Sequence, residues 1–130
     1  MTGVQTCALP ISRIAHDLLD RAQAEGAVVA LGSGCLGDPR LRDRLEHLGR
    51  GDYAVALTCA TRVLATRNGL DAPRSVALGT VHHQFVQMLH ERQARCRELA
   101  DVVVDTTSTT PQQAGERIIE AVWSGFSCHQ

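Results

Sequence analysis

Short apolar segments alternate with amphipathic ones along this chain, and no other feature limits its possible folds as much. Three segments have the length and composition of buried strands: residues 27–31, 53–58 and 101–105. Between and around them, apolar residues at helical spacing predict five helices: residues 13–24, 39–48, 60–67, 80–99 and 111–122. Strands separated by helices are typical of a parallel sheet that is covered on both faces, so we expect an α/β fold.

The N-terminal segment does not follow this pattern. Residues 1–11 carry no charged side chain and match the translation of a sequencing-adapter oligonucleotide, with Ser12 at the junction. As protein, residues 4–8 suit only an edge strand, because Pro10 disfavours helix at Leu9. We therefore expect residues 1–12 to be non-native, residues 13–123 to form one domain whose natural beginning is lost, and residues 124–130 to be a flexible tail.

The adapter interpretation is open to a direct test at the level of DNA. We expect the codons of residues 1–11 to equal the adapter sequence base for base, because selection on a protein cannot fix third codon positions so uniformly. Reading the nucleotide sequence that encodes the chain checks this. A different set of synonymous codons would contradict the interpretation.

The overall charge and composition exclude several classes of partner. A net charge of −1 and a pI near 6.6 give no basic footprint for nucleic acid or a membrane surface, and 3% aromatic residues leave few rings for base stacking. No apolar run approaches the ~20 residues of a membrane span. The cysteines show no paired spacing, so we expect reduced thiols and a cytoplasmic protein.

The stretch LGSGCLGDP is the first candidate site. Gly32, Gly34 and Gly37 follow a predicted strand and precede a predicted helix, which is the setting of a dinucleotide-binding turn. The acidic residue that would bind the ribose is absent from the end of the next predicted strand, where Thr58 and Cys59 stand. The alternative is a glycine-rich turn that closes against a ligand or a helix, and the motif alone leaves both open.

Three arginines form the second candidate site. Arg92 continues the apolar stripe of the longest predicted helix, while Arg67 and Arg74 border the loop predicted at residues 68–79, which is long enough to be a lid. Either their guanidinium groups lie along the protein surface, or they bind the carboxylate or phosphate of a ligand. Histidine and cysteine spacings suit no zinc site, so we predict no metal ligands in this chain.

Taken in order, six segments resemble the shikimate kinase family: ALGSG, GDPRLRDRL, AVALTCATRVLATR, APRSVAL, HERQARCRELA and VVVDT. The resemblance covers residues 13–122 and depends on the ordered set, since each motif alone is weak. It implies a three-layer P-loop kinase fold of the nucleoside monophosphate kinase type. It also implies that the Walker A strand, which lies between the first two predicted strands in the family, is missing from this chain.

The resemblance assigns the substrate-binding residues. The glycine turn of the family holds the ring hydroxyls of shikimate by close backbone approach, a role that here falls to Gly32, Ser33 and Gly34. The arginine of the family motif E-R-x-P-L-Y binds the carboxylate of shikimate and matches Arg92. Both assignments give a ligand to features that the residues alone left open.

The resemblance also assigns residues to the phosphates and the nucleotide. The catalytic lid arginine, which closes over the transferring phosphate, matches Arg74. The arginine that stacks on adenine matches Arg67, and Thr109 stands where many members carry a nucleotide-binding arginine. The chain departs from the family pattern at Ser33, in place of glycine, and at Ala94-Arg95-Cys96, in place of P-L-Y.

These assignments imply a fragment of an ATP- and Mg²⁺-dependent kinase that phosphorylates the 3-hydroxyl of shikimate, a step towards chorismate and the aromatic amino acids. Its partners would be shikimate and ATP, without nucleic acid or membrane, and we expect a monomer. No G-x-x-x-x-G-K-[ST] motif occurs in the chain, so we expect the phosphate loop and the metal ligands upstream and this chain to be inactive. Two alternatives stay open: a kinase-like sensor domain that binds a small carboxylate, and a Rossmann dinucleotide-binding fragment.

Overall fold

The computed structural model describes the backbone of residues 3–67 and 76–128, and the side chains of residues 12–32, 34–67 and 83–124. The chain divides into two compact units, Met1–Asp52 and Tyr53–Gln130, and each is described by itself. Within the described helices, none combines the length and the apolar character that crossing a membrane requires.

The first unit begins with a long helix that ends at a glycine. Helix α1 spans Gly3–Glu25, and Gly26 follows it in the left-handed region at φ +71°. The Gly26 amide donates a hydrogen bond of 2.8 Å to the carbonyl of Ala22, which satisfies one of the last carbonyls of the helix. Glycine suits position 26 because it has no Cβ to clash in this conformation, and the helix end predicted there is confirmed.

The edge strand predicted at residues 4–8 is wrong, because these residues belong to α1. The helix also includes Leu9, where Pro10 was expected to disfavour it. Residues 13–24 supply a helix that is already nucleated, and extending it towards the N-terminus costs less than forming a strand that has no partner. Pro10 is the eighth residue of α1, past its first turn, and it has no N–H to donate to the carbonyl of Thr6, so the helix continues there with one backbone bond fewer.

The buried strand predicted at residues 27–31 is also wrong, since the structure has neither helix nor strand there. The side chain of Val28 is 99% exposed. A strand forms where a second backbone completes its ladder of hydrogen bonds, and the described part of this unit contains no other strand. Apolar composition favours a strand, but a strand forms only where a second strand can pair with it.

A short 3-10 helix at Ser33–Gly37 follows and leads into α2 at Pro39–Glu46. Asp38 caps α2 as predicted: its carboxylate accepts a hydrogen bond of 2.9 Å from the Arg40 amide and another from the Ser12 hydroxyl. These two bonds, the Ser12 bond above all, hold the pKa of Asp38 below its usual value.

The two helices of the first unit share a small core and a polar contact. Leu41 on α2 is completely buried. Arg44, also on α2, donates hydrogen bonds to acceptors on α1 that include the Asp20 carboxylate at 2.6 Å, the His16 carbonyl at 3.1 Å and the Gln23 Oε1 at 3.1 Å. Two donors of one guanidinium therefore join α2 to α1, a fork geometry that a lysine could not reproduce.

The second unit contains a parallel pair of strands, as predicted. Strand β1 spans Val55–Thr58 and β2 spans Val102–Asp105, in a register that pairs Leu57 with Val104. The connection between them carries α3 at Thr61–Arg67 and α4 at Val76–Leu99, which is the helical crossover that parallel strands require. Helix α5 follows at Pro111–Cys128.

Burial in the two strands shows how the helices cover the sheet. α4 packs against β1 and α5 packs against β2. Ala56 is buried, whereas its register partner Val103 is half exposed; on the other face Val104 is buried, whereas Leu57 is 57% exposed. Neighbouring residues of a strand point to opposite faces, so α4 covers one face over β1 and α5 covers the other over β2.

Two helices of the second unit extend well beyond their predicted bounds. α4 begins at Val76 instead of Thr80, and residues 68–75 of the predicted loop lie outside the described residues. α5 continues through Cys128 instead of ending at Val122, so the backbone of residues 124–128 is helical where a tail was predicted. Adding residues to a formed helix costs far less than starting one, and no proline interrupts either extension.

Candidate functional site

The carboxyl ends of β1 and β2 lie side by side and lead into the segments that carry two of the predicted site residues, Arg67 and Thr109. Beyond β1 the chain passes through Cys59 into α3, whose last residue is Arg67. Beyond β2 it forms a loop that contains Thr109 before α5 begins. Ligands of parallel α/β folds bind at this edge of the sheet, so the polar contacts at this edge would shape a ligand site.

Threonine hydroxyls hold the two chain segments together at this edge. The Thr106 amide and hydroxyl both donate to the carbonyl of Thr58, at 2.7 and 2.9 Å. The Ala60 amide donates to the Thr107 hydroxyl oxygen at 2.9 Å. The loop after β2 is therefore tied to the last residue of β1 and to the start of α3.

Asp105 closes this loop from the β2 side. Its Oδ1 accepts hydrogen bonds from the hydroxyl of Thr107 at 2.5 Å and from the amide of Thr107 at 2.9 Å. The hydroxyl bond first, and then the amide bond, hold the pKa of Asp105 below its usual value near 3.8. A group whose pKa is depressed on folding stabilises the fold above its unfolded pKa, and this contribution is lost as the pH falls through the folded pKa.

We expect Thr107→Val to raise the pKa of Asp105 towards 3.8, because valine removes the hydroxyl donor that stabilises the ionised carboxylate. An NMR titration of the Asp105 carboxyl carbon measures the pKa directly. In the whole protein, the free energy of unfolding of the variant should also fall less than that of the unsubstituted protein as the pH is lowered below 3.8. Thr66→Val is the matched control, since within the described part of the chain the Thr66 hydroxyl donates to the Arg62 carbonyl of its own helix, away from Asp105. Equal pKa values of Asp105 in the unsubstituted chain and in Thr107→Val would contradict the assignment.

Arg67 lies against the same edge. Its Nη2 donates to the Thr106 carbonyl at 3.0 Å, and its Nη1 lies 3.5 Å from the Sγ of Cys59. These contacts hold the guanidinium plane at the strand ends while the side chain stays exposed. A planar cation fixed in this way can stack on an aromatic ring of a ligand.

The loop that precedes α5 contains one unusual polar atom. The Oγ1 of Thr109 is buried, and the structure shows no hydrogen-bond partner for it among the described residues. Buried hydroxyls are normally paired, so this oxygen is available to a further polar group. Its position is compatible with the predicted role of Thr109 near a nucleotide, and that role stays a prediction.

Arg92 lies on α4, and its side chain is half buried, in agreement with its predicted place at the edge of the apolar stripe. The next residue, Gln93, reaches the end of β1: its Oε1 accepts a hydrogen bond of 3.0 Å from the Cys59 amide. Three elements thus meet at Cys59: β1 before it, α3 through Arg67, and α4 through Gln93. Arg74 lies outside the described residues.

The glycine turn belongs to the first unit. Gly32 has φ −68° and ψ 141°, and its carbonyl accepts a hydrogen bond of 2.9 Å from the Cys35 amide. A Cβ added at Gly32 or Gly34 would meet no atom of the described part of the chain within 4 Å, so no described neighbour requires glycine there. That open space is what close backbone approach to a ligand needs. Only the backbone of Ser33 is described, and it begins the 3-10 helix.

Several polar residues of the second unit were absent from the predicted site. Thr106 and Thr107 follow Asp105, the last residue of β2. An aspartate at the end of a strand indicates a turn in which its carboxylate bonds the backbone two residues later. Gln93 had no such indicator, because its partner is the amide of Cys59, 34 residues earlier in the chain. Burial raises the pKa of the Cys96 thiol, which makes this cysteine a poor nucleophile.

The described residues include one group that could offer ligands to a cation. Ligand atoms of Asp43, Glu46 and His47 lie within 4.8 Å of one another on and just after α2, and all three residues are exposed. His47 Nδ1 lies 2.8 Å from the Asp43 carbonyl and 3.5 Å from its carboxylate, so the cluster is explained as a helix-end ion pair. We assign it no metal.

Comparison with known proteins gives a consistent result. The family model described as Shikimate kinase matches residues 12–123. A shikimate kinase of Halorhodospira halophila (strain DSM 244 / SL1) is 34% identical over 99 residues, which are 75% of this chain and 54% of that protein. A shikimate kinase of Thermobifida fusca (strain YX) is 34% identical over 91 residues, which are 70% of this chain and 51% of that protein. The chain thus spans about half the length of these curated relatives. No solved structure matches it significantly.

Proposed function

The chain belongs to the shikimate kinase family, whose members have a P-loop kinase fold, and we propose from this premise that the whole protein phosphorylates shikimate. By the whole protein we mean one with the length of these relatives. The reaction would transfer the γ-phosphate of ATP to the 3-hydroxyl of shikimate. The observation that carries the proposal is the family match over residues 12–123, which contains every residue assigned to substrate or nucleotide.

Arg92 supplies the recognition of the substrate carboxylate in this proposal. A guanidinium binds a carboxylate through two parallel N–H donors, and a half-buried position strengthens that pair by excluding water. The open backbone at Gly32 and Gly34 would receive the ring hydroxyls, since no atom of the described residues lies within 4 Å of a Cβ built at either position.

Arg67 and Thr109 are proposed to contact the nucleotide. Support comes from the position of Arg67, an exposed residue whose guanidinium is bonded to the Thr106 carbonyl at the carboxyl end of the sheet. The buried Oγ1 of Thr109, which has no partner among the described residues, would give the base or ribose a polar contact.

ATP bound with Mg²⁺ would supply the phosphoryl group and neutralise the charge that develops during transfer. The described residues offer no fitting site for that cation, because the exposed group on α2 is explained by its own ion pair. We therefore propose that the metal ligands and the phosphate loop lie in the part of the whole protein that this chain does not span. Within this chain, Arg74 is proposed to act as the catalytic lid residue.

We also propose that the whole protein acts as a cytoplasmic monomer on small-molecule substrates. The described cysteines, Cys35, Cys59 and Cys96, are all free thiols, which suits a reducing compartment. Size-exclusion chromatography with light scattering would test the oligomeric state.

Arg92→Lys in the whole protein is expected to raise the KM for shikimate about tenfold, because a lysine ammonium cannot reproduce bidentate binding of a carboxylate. Steady-state kinetics with shikimate as the varied substrate measure this. Arg95→Lys is the matched control, since Arg95 lies on the same helix and is exposed. An unchanged KM in Arg92→Lys would show that the Arg92 guanidinium lies along the core edge and binds no carboxylate.

A second candidate function is favoured by one specific observation. Ala94-Arg95-Cys96, which begins two residues after Arg92, replaces the family pattern P-L-Y, and this would suit a sensor domain that binds a small carboxylate without transferring phosphate. Isothermal titration of the whole protein with shikimate, beside an assay of ADP release, distinguishes the two. Binding without shikimate-dependent ADP release would favour the sensor, and release at an ordinary rate would favour the kinase.

A further inference from the structure

We propose that Gln93 is a positioning residue for substrate binding: it fixes the turn of α4 that carries Arg92 against the carboxyl end of β1. This inference rests on the proposed role of Arg92. It concerns a residue that makes no proposed contact with substrate or nucleotide and acts only through its neighbour.

The contact that carries the inference joins a side chain to a buried backbone group. The Cys59 amide donates to Gln93 Oε1 at 3.0 Å, and Cys59 is only 6% exposed. Cys59 is the first residue beyond β1, where the sheet ladder ends and its amide would otherwise need another acceptor. A buried amide without a partner is costly, so the bond has a strong reason to persist.

The hydrogen bond to Gln93 fixes the orientation of α4 on β1, which apolar packing alone cannot do. Apolar contacts are not directional, and the buried residues of β1 at this interface, Ala56 and Thr58, are small. Contacts with such small side chains restrain rotation and sliding of the helix less than a directional bond does. A directional bond from Gln93 to the strand end fixes the rotation and the axial position of the helix at that turn.

Arg92 is the residue next to Gln93, so its backbone moves with the same turn. Bidentate binding of a carboxylate requires both guanidinium donors in one plane, and small displacements of such a group weaken the binding. The same strand end also holds Arg67, whose Nη1 lies 3.5 Å from the Sγ of Cys59. Arg67 contacts Cys59 directly, and Arg92 is next to Gln93, which bonds the Cys59 amide. Both arginines are therefore positioned relative to Cys59.

Three substitutions at Gln93 in the whole protein test the proposal. Gln93→Ala removes the acceptor and is expected to raise the KM for shikimate about fivefold, the factor that corresponds to one ordinary hydrogen bond. Gln93→Glu keeps an acceptor oxygen at the same reach and should restore most of the loss. Gln93→Asn keeps the amide but is one methylene shorter, so it should behave like Gln93→Ala. Gln87→Ala is the matched control, because the bond that the Gln87 side chain makes among the described residues is to Glu91 on the same helix.

A double-mutant cycle with Arg92→Lys separates positioning from a merely structural role. If Gln93 acts through Arg92, then Gln93→Ala should raise the KM very little further once Arg92 is lysine. Effects that multiply in the double variant, or an unchanged KM in Gln93→Ala, overturn the inference. Circular dichroism confirms that each variant is folded, and if Gln93→Ala is not, the Glu and Asn variants decide the outcome.

The same series distinguishes failure of this inference from failure of the proposed function. If the unsubstituted protein releases ADP with shikimate but Gln93→Ala has a normal KM, only the inference fails. If the protein binds shikimate without transferring phosphate, the proposed function fails. The effects of the Gln93 substitutions are then measured as changes in the Kd for shikimate by titration. If shikimate is not bound at all, both fail.

Discussion

Arg74→Ala in the whole protein is expected to lower kcat by about three orders of magnitude and to change the KM for shikimate little. The resemblance to the shikimate kinase family gives Arg74 the place of the lid arginine, which closes over the phosphoryl group during transfer. Negative charge shifts among the phosphate oxygens in the transition state, and a guanidinium placed there binds that state more tightly than the bound substrates. Removing it should therefore affect the chemical step more than substrate binding. Stopped-flow or steady-state measurement of ADP release gives kcat and KM separately.

Arg62→Ala is the matched control for this substitution. Arg62 lies on α3, is exposed, and has no assigned role in substrate or nucleotide binding, so its removal should leave kcat within a small factor of the unsubstituted value. A normal kcat in Arg74→Ala with a raised KM would mean that Arg74 binds the ground state only. A normal kcat with a normal KM would remove it from the site.

The strands show what the sequence could and could not predict about the fold. The apolar runs that became β1 and β2 are similar in composition to residues 27–31. The first two runs are strands because each is the other's parallel partner across α3 and α4. Residues 27–31 remain without a partner in the described part of their unit, and Val28 is exposed as a result. Composition is local, whereas strand formation depends on a second segment far away in the chain.

In the candidate site, too, local features could be predicted from the sequence and contacts between distant residues could not. Arg67 could be predicted because it ends a short helix that follows a strand, and the structure does hold its guanidinium at the strand ends. The cap at Asp38 was equally predictable, since Asp-Pro before an apolar stripe is a local motif. The bond from the Cys59 amide to Gln93 was not predictable, because no short motif connects residues 34 positions apart. The roles of the site residues towards ligands stay predictions that the substitutions above test.

The chain of 130 residues, by itself, is expected to release no ADP in response to shikimate and to unfold without a sharp cooperative transition. Positioning of ATP in P-loop kinases needs backbone amides and a lysine around the β- and γ-phosphates, and the sequence contains no G-x-x-x-x-G-K-[ST] motif that would provide them. A coupled spectrophotometric assay of ADP measures the first expectation, and differential scanning calorimetry measures the second. The whole protein, prepared in parallel, is the control for both.

The stability expectation follows from how little of the described chain is buried. Leu41 is the one large side chain that is completely buried among the described residues, whereas Trp123 is 73% and Ile119 66% exposed on the same helix. The sheet described in the second unit has two strands, and a two-stranded sheet is marginal unless helices cover it well. Domains are stable by only ~5–15 kcal/mol, so apolar surface left in water on this scale should broaden or abolish the transition. A sharp melt at an ordinary mesophilic temperature, or turnover at the ~1–100 per second usual for kinases, would contradict the prediction and place the missing chemistry within these 130 residues.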